Sequence, residues 1–198
     1  MSERICVFCG SSAGKNKVFI ETAVELGRFI TSEKMELIYG GGKTGLMGAL
    51  ADSVLESGGK VIGIIPEFLK KRELCHDGLS ELIITDTMHA RKNKMYALAD
   101  YFLVLPGGIG TLDEFAETLT WSQLSLHRKP CALLNINGYY DYLLKFLDNM
   151  VAQNFFEKEN LEYLIIDTSF EEILKKCRML GCVDIYNTLA FGQKRDKS

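Results

Sequence analysis

The sequence predicts an α/β protein with a doubly wound, mostly parallel sheet and helices on both faces of that sheet. Three observations lead to this fold class. Short apolar runs alternate with segments of helical spacing, and this alternation is typical of parallel strands joined by crossover helices. Glycine is plentiful and proline is scarce, with 18 glycines against 3 prolines. Three glycine clusters directly follow predicted strands, where tight turns leave a sheet.

Seven strands are predicted from the short apolar runs. Their ranges are Arg4–Phe8, Glu36–Tyr39, Val61–Ile65, Leu82–Thr85, Tyr101–Leu105, Ala132–Asn135 and Leu164–Asp167. The third strand is expected to be broken at Pro66, because proline has no N–H to donate to a strand ladder.

Helices are predicted where apolar residues recur at helical spacing, as Ala23, Leu26 and Ile30 do. Their ranges are Val18–Ser32, Thr44–Glu56, Met88–Leu98, Leu112–Leu126, Tyr139–Gln153 and Phe170–Met179. The second helix is expected to stop at Gly58 and Gly59, which form a C-terminal glycine signal.

Length and composition are those of an ordinary globular domain. The chain has 198 residues, of which 47% are hydrophobic and 25% charged, so one domain with a substantial core is expected. We expect this domain to span residues 1–180 and residues 181–198 to form a partly disordered C-terminal extension. The net charge of −3 gives no reason to expect a nucleic-acid partner.

The sequence also carries expectations about compartment, thiols and metals. No run approaches the roughly 18 apolar residues that a membrane span requires, and Ile5–Phe8 is too short for a signal-peptide core. We therefore expect a cytoplasmic protein with reduced thiols and no membrane partner. Cys6 and Cys9 lie three apart, so a strand would turn them to opposite faces as buried structural cysteines. No metal-ligand spacing occurs, and His76 and His127 are expected at solvent-facing or helix-terminal positions.

The glycine clusters mark the expected ligand edge, because doubly wound folds bind ligands beyond the carboxyl ends of their strands. The clusters are Gly10–Gly14, Gly40–Gly48 and Gly107–Gly110. The segment Gly42–Thr44 resembles the end of a P-loop, but Leu37 stands where the first P-loop glycine belongs. Gly40–Gly45 has the spacing of a dinucleotide fingerprint, which is weak by itself. We favour a phosphate at the helix start there over a tight turn without a ligand.

Arg91 is an unusual residue for its predicted position. On a helix over Met88–Leu98, it falls between Met95 and Leu98 on the apolar stripe. An inward-facing guanidinium needs an anionic partner, because an unpaired buried charge is very costly. The partner is either a structural carboxylate or, in the functional interpretation that we favour, Glu114 or a substrate phosphate.

Glu114 lies in Pro106–Glu114, a second glycine turn that opens a predicted helix. Thr111 and Glu114 have the spacing of a capping box, in which the carboxylate bonds the N–H of Thr111. That structural role is one interpretation. The other is functional, because Glu114 and its neighbour Asp113 follow a glycine turn at the ligand edge.

These segments together resemble a known family. Pro106–Glu114 resembles the PGGxGTxxE signature of the Lonely Guy family of cytokinin-activating phosphoribohydrolases, and Met88–Lys92 resembles its MHxRK motif. Tyr39–Gly42 is similar to the YGGG element of the family, and Thr120–Leu124 to the stretch after the signature. The likeness extends from Arg4 to Met179 and implies a Rossmann-like nucleotide-binding domain.

The resemblance implies hydrolysis of the N-glycosidic bond of a nucleoside 5′-monophosphate, either AMP or an N6-prenylated AMP, to free base and ribose 5-phosphate. It implies catalytic roles for Arg91 and Glu114, no cofactor, and a homodimer. Substrate contacts are expected at Ser11, Gly41, Gly42, Glu73, Met88, Lys92, Gly107, Gly108, Ile109, Gly110 and Thr111. The chemistry suits these residues, because a carboxylate stabilises an oxocarbenium-like state while it positions water. Arg91 would hold the phosphate or stabilise charge on the leaving base.

Two other functions stay open at this stage. One is a non-catalytic nucleotide-binding or molybdenum-cofactor-carrier-like module, since such carriers resemble this chain in fold and glycine turns. The other is an NAD-dependent oxidoreductase, which rests on the Gly40–Gly45 spacing alone. Decarboxylation is disfavoured, although family members are often labelled lysine decarboxylases, because no motif for pyridoxal phosphate attachment is apparent.

Overall fold

Seven parallel strands form one sheet in the computed structural model, which describes residues 2–70, 75–161 and 164–180. The strands are β1 (Arg4–Phe8), β2 (Glu36–Tyr39), β3 (Lys60–Pro66), β4 (Glu81–Thr85), β5 (Tyr101–Val104), β6 (Cys131–Leu134) and β7 (Leu164–Asp167). Their order across the sheet is β4-β3-β2-β1-β5-β6-β7, and every neighbouring pair is parallel. The predicted fold class and all seven predicted strands are confirmed.

The helices lie between the strands, as the alternating pattern predicted. They are α1 (Lys17–Ser32), α2 (Gly45–Glu56), α3 (Glu67–Lys70), α4 (Met88–Leu98), α5 (Ile109–Gln123), α6 (Asp141–Ala152) and α7 (residues 170–180). Helix α3 was not predicted, because four residues are too few to show a helical period. The expected extension, residues 181–198, lies outside the described residues, so the boundary at residue 180 stays a prediction.

Each face of the sheet carries its own apolar core. Side chains of α1, α2 and α7 pack on one face, and side chains of α4, α5 and α6 pack on the other. Cys9 belongs to the first core and Cys6 to the second, so the two cysteines point to opposite faces as predicted. Both are buried and unpaired. In the described ranges, no helix has the length and apolar character needed to cross a bilayer.

The prediction that Pro66 breaks the third strand is wrong. Pro66 is the last residue of β3 and lies opposite Thr85 of β4. Proline is tolerated at the end of a strand, where the loss of one N–H removes at most one ladder bond.

The direction of the chain across the sheet reverses between β1 and β5. β2, β3 and β4 follow β1 on one side, whereas β5, β6 and β7 lie on the other. In doubly wound sheets such a reversal opens a crevice beyond the carboxyl ends of the two central strands. Phe8–Gly10 and Val104–Gly107 leave the sheet at this point.

Arg178 on α7 fastens the end of the described chain to its beginning. Its guanidinium donates to the Glu3 carboxylate at 2.6 Å and to Glu33 at 2.9 Å. The Tyr101 hydroxyl also donates to Glu3, at 2.7 Å. The hydrogen bond from Arg178 lowers the pKa of Glu3, and the bond from Tyr101 adds to the shift, against the opposing effect of burial.

Glu3→Gln is expected to lower the free energy of unfolding by about 1 kcal/mol at about pH 7, because the pair is partly exposed. A lowered pKa stabilises the fold above the unfolded pKa, and the stabilisation is lost as pH falls through the folded value. Chemical denaturation should therefore show the variant and wild type converging as the pH falls through the lowered pKa of Glu3. The exposed Glu25→Gln serves as the control and should match wild type throughout. A difference that persists in acid would contradict this assignment.

Candidate active site

The loops after β1 and β5 touch at the crevice. The N–H of Gly10 donates to the carbonyl of Pro106 at 3.1 Å. A side chain on Gly107 would begin 2.9 Å from the nitrogen of Gly10, and one on Gly10 would begin 3.3 Å from the Cα of Gly107. Both glycines are therefore required by a close approach of two main chains, and the crevice begins above them.

Two cavities that share lining residues open at this edge. One has a volume of about 300 Å³ and the other about 250 Å³. The larger cavity is lined by Cys9, Gly10, Ser11, Met47, Leu69, Met88, Arg91, Gly108, Ile109, Gly110, Thr111, Asp113 and Glu114. The smaller cavity is lined by Gly10, Ser11, Ser12, Ala13, Gly14, Phe19, Leu46, Pro106, Gly107, Gly108 and Tyr139.

The start of α5 faces the larger cavity with its main-chain amides. The helix begins at Ile109, three residues before the predicted start, and Gly108 is its N-cap without a side-chain hydrogen bond. The first N–H groups of a helix have no partner within the helix, so the amides of Ile109, Gly110 and Thr111 suit an anion. The predicted capping box is wrong, because Thr111 and Glu114 both lie inside the helix.

The first main-chain amides of α2, unlike those of α5, have hydrogen-bond partners among the described residues. The amides of Leu46 and Met47 donate to the carbonyl of Gly10 at 3.1 and 3.4 Å, and the Thr44 hydroxyl donates to the carbonyl of Ser11. These bonds hold the loop after β1 against α2. Of the two glycine turns that open helices, the one at α5 is therefore better suited to bind a phosphate.

Arg91 and Glu114 form the ion pair that the apolar stripe predicted. Nη2 of Arg91 lies 3.6 Å from Oε1 of Glu114, and the side chains are 8% and 11% exposed. Arg91 also contacts the sulfur of Met88 through Nη1 at 3.8 Å. Helix α4 supplies the cation and α5 supplies the carboxylate, so two helices on one face of the sheet create a charged pair beside the cavity.

Gly40 makes room for the guanidinium. A Cβ at this position would overlap Nη2 of Arg91 and would lie 2.7 Å from Cε of Met47. Gly40 is therefore required by the adjacent guanidinium of Arg91 and not by a tight turn.

Lys92 binds two carboxylates of α5. Its Nζ lies 2.7 Å from Asp113 and 3.2 Å from Glu117. Burial lowers the pKa of Lys92, but the hydrogen bonds to these carboxylates outweigh that effect and raise the pKa above its ordinary value. The lysine thus stays charged and balances the acidic residues on either side of Glu114.

Cys9 lines the cavity but is a poor nucleophile. Burial raises the pKa of its thiol far above the ordinary range, and the negative charge of Glu114 adds to the shift. The thiolate is the reactive form of cysteine, so the neutral thiol at this position lines the cavity without acting as a nucleophile.

The structure brings most of the predicted site residues to these two cavities. Ser11, Met88, Arg91, Glu114 and the residues 108–111 line the larger one, and Gly107 lines the smaller one. Gly41 and Gly42 are buried behind the cavities, where Gly41 accepts a hydrogen bond from the N–H of His76. Their predicted substrate contacts stay predictions, as does that of Lys92. Glu73 lies outside the described residues.

Sequence reasoning missed two tyrosines that support the glycine turn after β5. The hydroxyl of Tyr139 donates to the carbonyl of Gly107, and that of Tyr140 donates to the carbonyl of Leu105, each at 2.5 Å. Both residues precede α6, which lies far along the chain from the turn. A tandem of tyrosines just after a buried strand was the available signal.

The expected solvent-facing or helix-terminal position of His76 is wrong. His76 is buried; Nε2 lies 2.9 Å from Asp52 of α2, and Nδ1 accepts the N–H of Gly78. An imidazole that accepts at Nδ1 carries its hydrogen at Nε2, so the ring donates to Asp52. This contact holds the chain at residues 75–78 against α2.

The fold and the site together define a Rossmann-like α/β protein with an anion-binding helix start and a buried Arg–Glu pair at its switch point. The sequence profile of the family described as "Possible lysine decarboxylase" matches residues 47–177.

Curated relatives and a solved structure are also similar to this chain. A probable cytokinin riboside 5′-monophosphate phosphoribohydrolase of Oryza sativa subsp. japonica is 48% identical over 152 residues, 77% of this chain and 67% of that protein. The cytokinin riboside 5′-monophosphate phosphoribohydrolase LOG3 of Arabidopsis thaliana is 44% identical over 173 residues, 87% of this chain and 80% of that protein. The molybdenum cofactor carrier protein of Chlamydomonas reinhardtii shares the fold with a TM-score of 0.68 at 21% identity, over 91% of this chain and 98% of that one.

The chain therefore belongs to the "Possible lysine decarboxylase" family and, within it, to the Lonely Guy phosphoribohydrolases that its motifs predicted.

Gly40→Ala is expected to displace the Arg91 guanidinium from Glu114 and to lower the free energy of unfolding by about 1–3 kcal/mol, because the added methyl overfills the space. A crystal structure of the variant should show the 3.6 Å contact broken. Gly110→Ala is the matched control, since its Cβ meets nothing within 4 Å and alanine favours the helix. Equal effects of the two substitutions would contradict this view of Gly40.

Proposed function

We propose that this chain hydrolyses the N-glycosidic bond of a nucleoside 5′-monophosphate, releasing the free base and ribose 5-phosphate. The observation that carries the proposal is the Arg91–Glu114 pair beside a cavity that an uncapped helix start also faces. One site thus combines an anion-binding element with a carboxylate, which is what a phosphorylated ribosyl substrate requires. The curated relatives, named for this activity on cytokinin riboside 5′-monophosphates, support the same reaction.

In this proposal the phosphate binds at the start of α5. The amides of Ile109, Gly110 and Thr111 point beyond the helix, and the positive end of the helix dipole favours an anion there. The space beside the main chain is open at Gly108 and Gly110, where an added Cβ would meet nothing within 4 Å. Ser11 lines the same cavity and is expected to contact the substrate.

Glu114 acts on the ribose. Its carboxylate stabilises the positive charge that develops at the anomeric carbon as the bond to the base breaks, and it orients the water that adds to that carbon. The water oxygen forms the new bond, and the bonding electrons leave with the base, which takes up a proton. Arg91 balances the charge of the carboxylate and limits its rotation.

The substrate class, the assembly and the compartment are part of the proposal. AMP and N6-prenylated AMP both present the required phosphate and ribose. A homodimer is supported by two large exposed apolar side chains in the first turn of α5, where Ile109 is 81% exposed and Leu112 is 40% exposed. A reducing, cytoplasmic location is supported by the five unpaired cysteines of the described residues.

Glu114→Gln is expected to reduce kcat for base release by about 100- to 10,000-fold, because the amide keeps the size of the side chain but lacks its charge. Arg91→Ala should show a loss in the same range. The assay measures free base from AMP and from isopentenyl-AMP in parallel.

Glu56→Gln provides a matched control for the loss of one carboxylate, because Glu56 is exposed at the end of α2, away from the site. It should retain wild-type rates. Absence of base release from both nucleotides by the wild-type chain would refute the proposal. Nucleotide binding without turnover, unchanged in Glu114→Gln, would instead support a carrier module.

A further inference from the structure

Two buried hydroxyl groups converge on the main chain of Glu114. The carbonyl oxygen of Glu114 lies 2.8 Å from Oγ1 of Thr118 and 3.2 Å from the hydroxyl of Tyr96. The two hydroxyl oxygens are 2.9 Å apart. The two hydroxyls together have two hydrogens for these three contacts. If both hydrogens are donated within this group, at least one of them goes to the carbonyl of Glu114.

This triangle is shielded from solvent. Thr118 is fully buried and Tyr96 nearly so. Burial raises the pKa of Tyr96 far above the ordinary range, so the hydroxyl keeps its hydrogen and remains a donor. Hydrogen bonds in such surroundings are costly to leave unmade.

Tyr96 stands on the same helix as Arg91. Helix α4 is fixed at its end by Lys129, whose Nζ donates to the carbonyls of Tyr96 and Ala99 at 2.6 Å each. The Tyr96 ring packs against Trp121 with centroids 4.2 Å apart and against Phe102 at 5.0 Å. The Tyr96 side chain is thus held rigidly and connects α4 to α5.

We propose that Tyr96 and Thr118 are positioning residues, which set the rotation of α5 so that the Glu114 carboxylate meets Arg91 and the cavity. The Tyr96 hydroxyl contacts both the Glu114 carbonyl and the Thr118 hydroxyl and so holds α5 to the helix that carries Arg91, while the ion pair holds the Glu114 side chain. The kinetic part of this inference rests on the proposed function.

An apolar pair at these positions would also fill the core. The Tyr96 hydroxyl adds a directional requirement, because a rotation of α5 about its axis would carry both the Glu114 carbonyl and the Thr118 hydroxyl away from it. Neither residue lines the cavities, so neither touches the substrate directly. Their removal should therefore affect the chemical step and leave substrate binding unchanged.

Tyr96→Phe and Thr118→Val remove one hydroxyl each with little change of volume. Each is expected to reduce kcat by about three- to tenfold with KM unchanged, the effect of one lost hydrogen bond on the chemical step. Thr118→Ser retains the hydroxyl and should keep kcat close to that of wild type. The double variant Tyr96→Phe/Thr118→Val should deviate from the product of the two single effects, because both donors serve one carbonyl.

Tyr101→Phe is the matched control. Tyr101 is also a buried tyrosine whose hydroxyl donates to one acceptor, Glu3, but it lies at the opposite end of the sheet. It should lose stability without a change in kcat. If Tyr96→Phe behaves in the same way, with wild-type kcat, the positioning role is overturned.

A crystal structure of the double variant tests the geometry without any activity. The expected result is that the Nη2–Oε1 contact of Arg91 and Glu114 lengthens beyond its present 3.6 Å. An unchanged contact overturns the inference, whatever the chain catalyses. Absence of base release by wild type would instead refute the proposed function, and this structural comparison would still decide the positioning role.

Discussion

The site depends on one constraint, which is that a guanidinium and a carboxylate must be kept together where little water reaches them. Arg91 and Glu114 stand 3.6 Å apart with about a tenth of each side chain exposed. Removing two such charges from water costs several kcal/mol, and their attraction repays this only when the geometry is good. The surroundings supply that geometry. Gly40 leaves space for the guanidinium, and Lys92 neutralises the carboxylates that flank Glu114 on α5.

The topology of the sheet explains why this pair lies beside a ligand cavity. The chain reverses direction between β1 and β5, and the two loops that leave these strands meet at Gly10 and Gly107. The first amides of α2 donate to the carbonyl of Gly10 in the first loop, whereas the first amides of α5 face the cavity. The two tyrosines that precede α6 hold the second loop from the other side. Because this one reversal of the chain creates the crevice, the ion pair and the cavity lie at the same place in the fold.

Much of this arrangement could be predicted from the sequence, because its signals are local and periodic. Seven apolar runs predicted seven strands, and the position of Arg91 on an apolar stripe predicted a buried partner. The start of α5 was misplaced because Thr111 and Glu114 imitate a capping box, although Gly108 is the N-cap and the helix begins at Ile109. The burial of His76 and the contacts of Tyr139 and Tyr140 were missed. These contacts depend on residues distant in sequence, such as Asp52 and Gly107, and a single sequence does not show which distant residue a side chain will contact.

The central claim is that the ion pair is retained for chemistry rather than for stability. The most direct measurement is a double-mutant cycle on the free energy of unfolding with Arg91→Met, Glu114→Gln and the two combined. Each single variant leaves a buried charge without its partner and should cost up to about 3 kcal/mol, the low end for a buried pair because the site opens to a cavity. The double variant should recover most of that loss while releasing no base. A double variant that loses the sum of the two single effects would contradict the account.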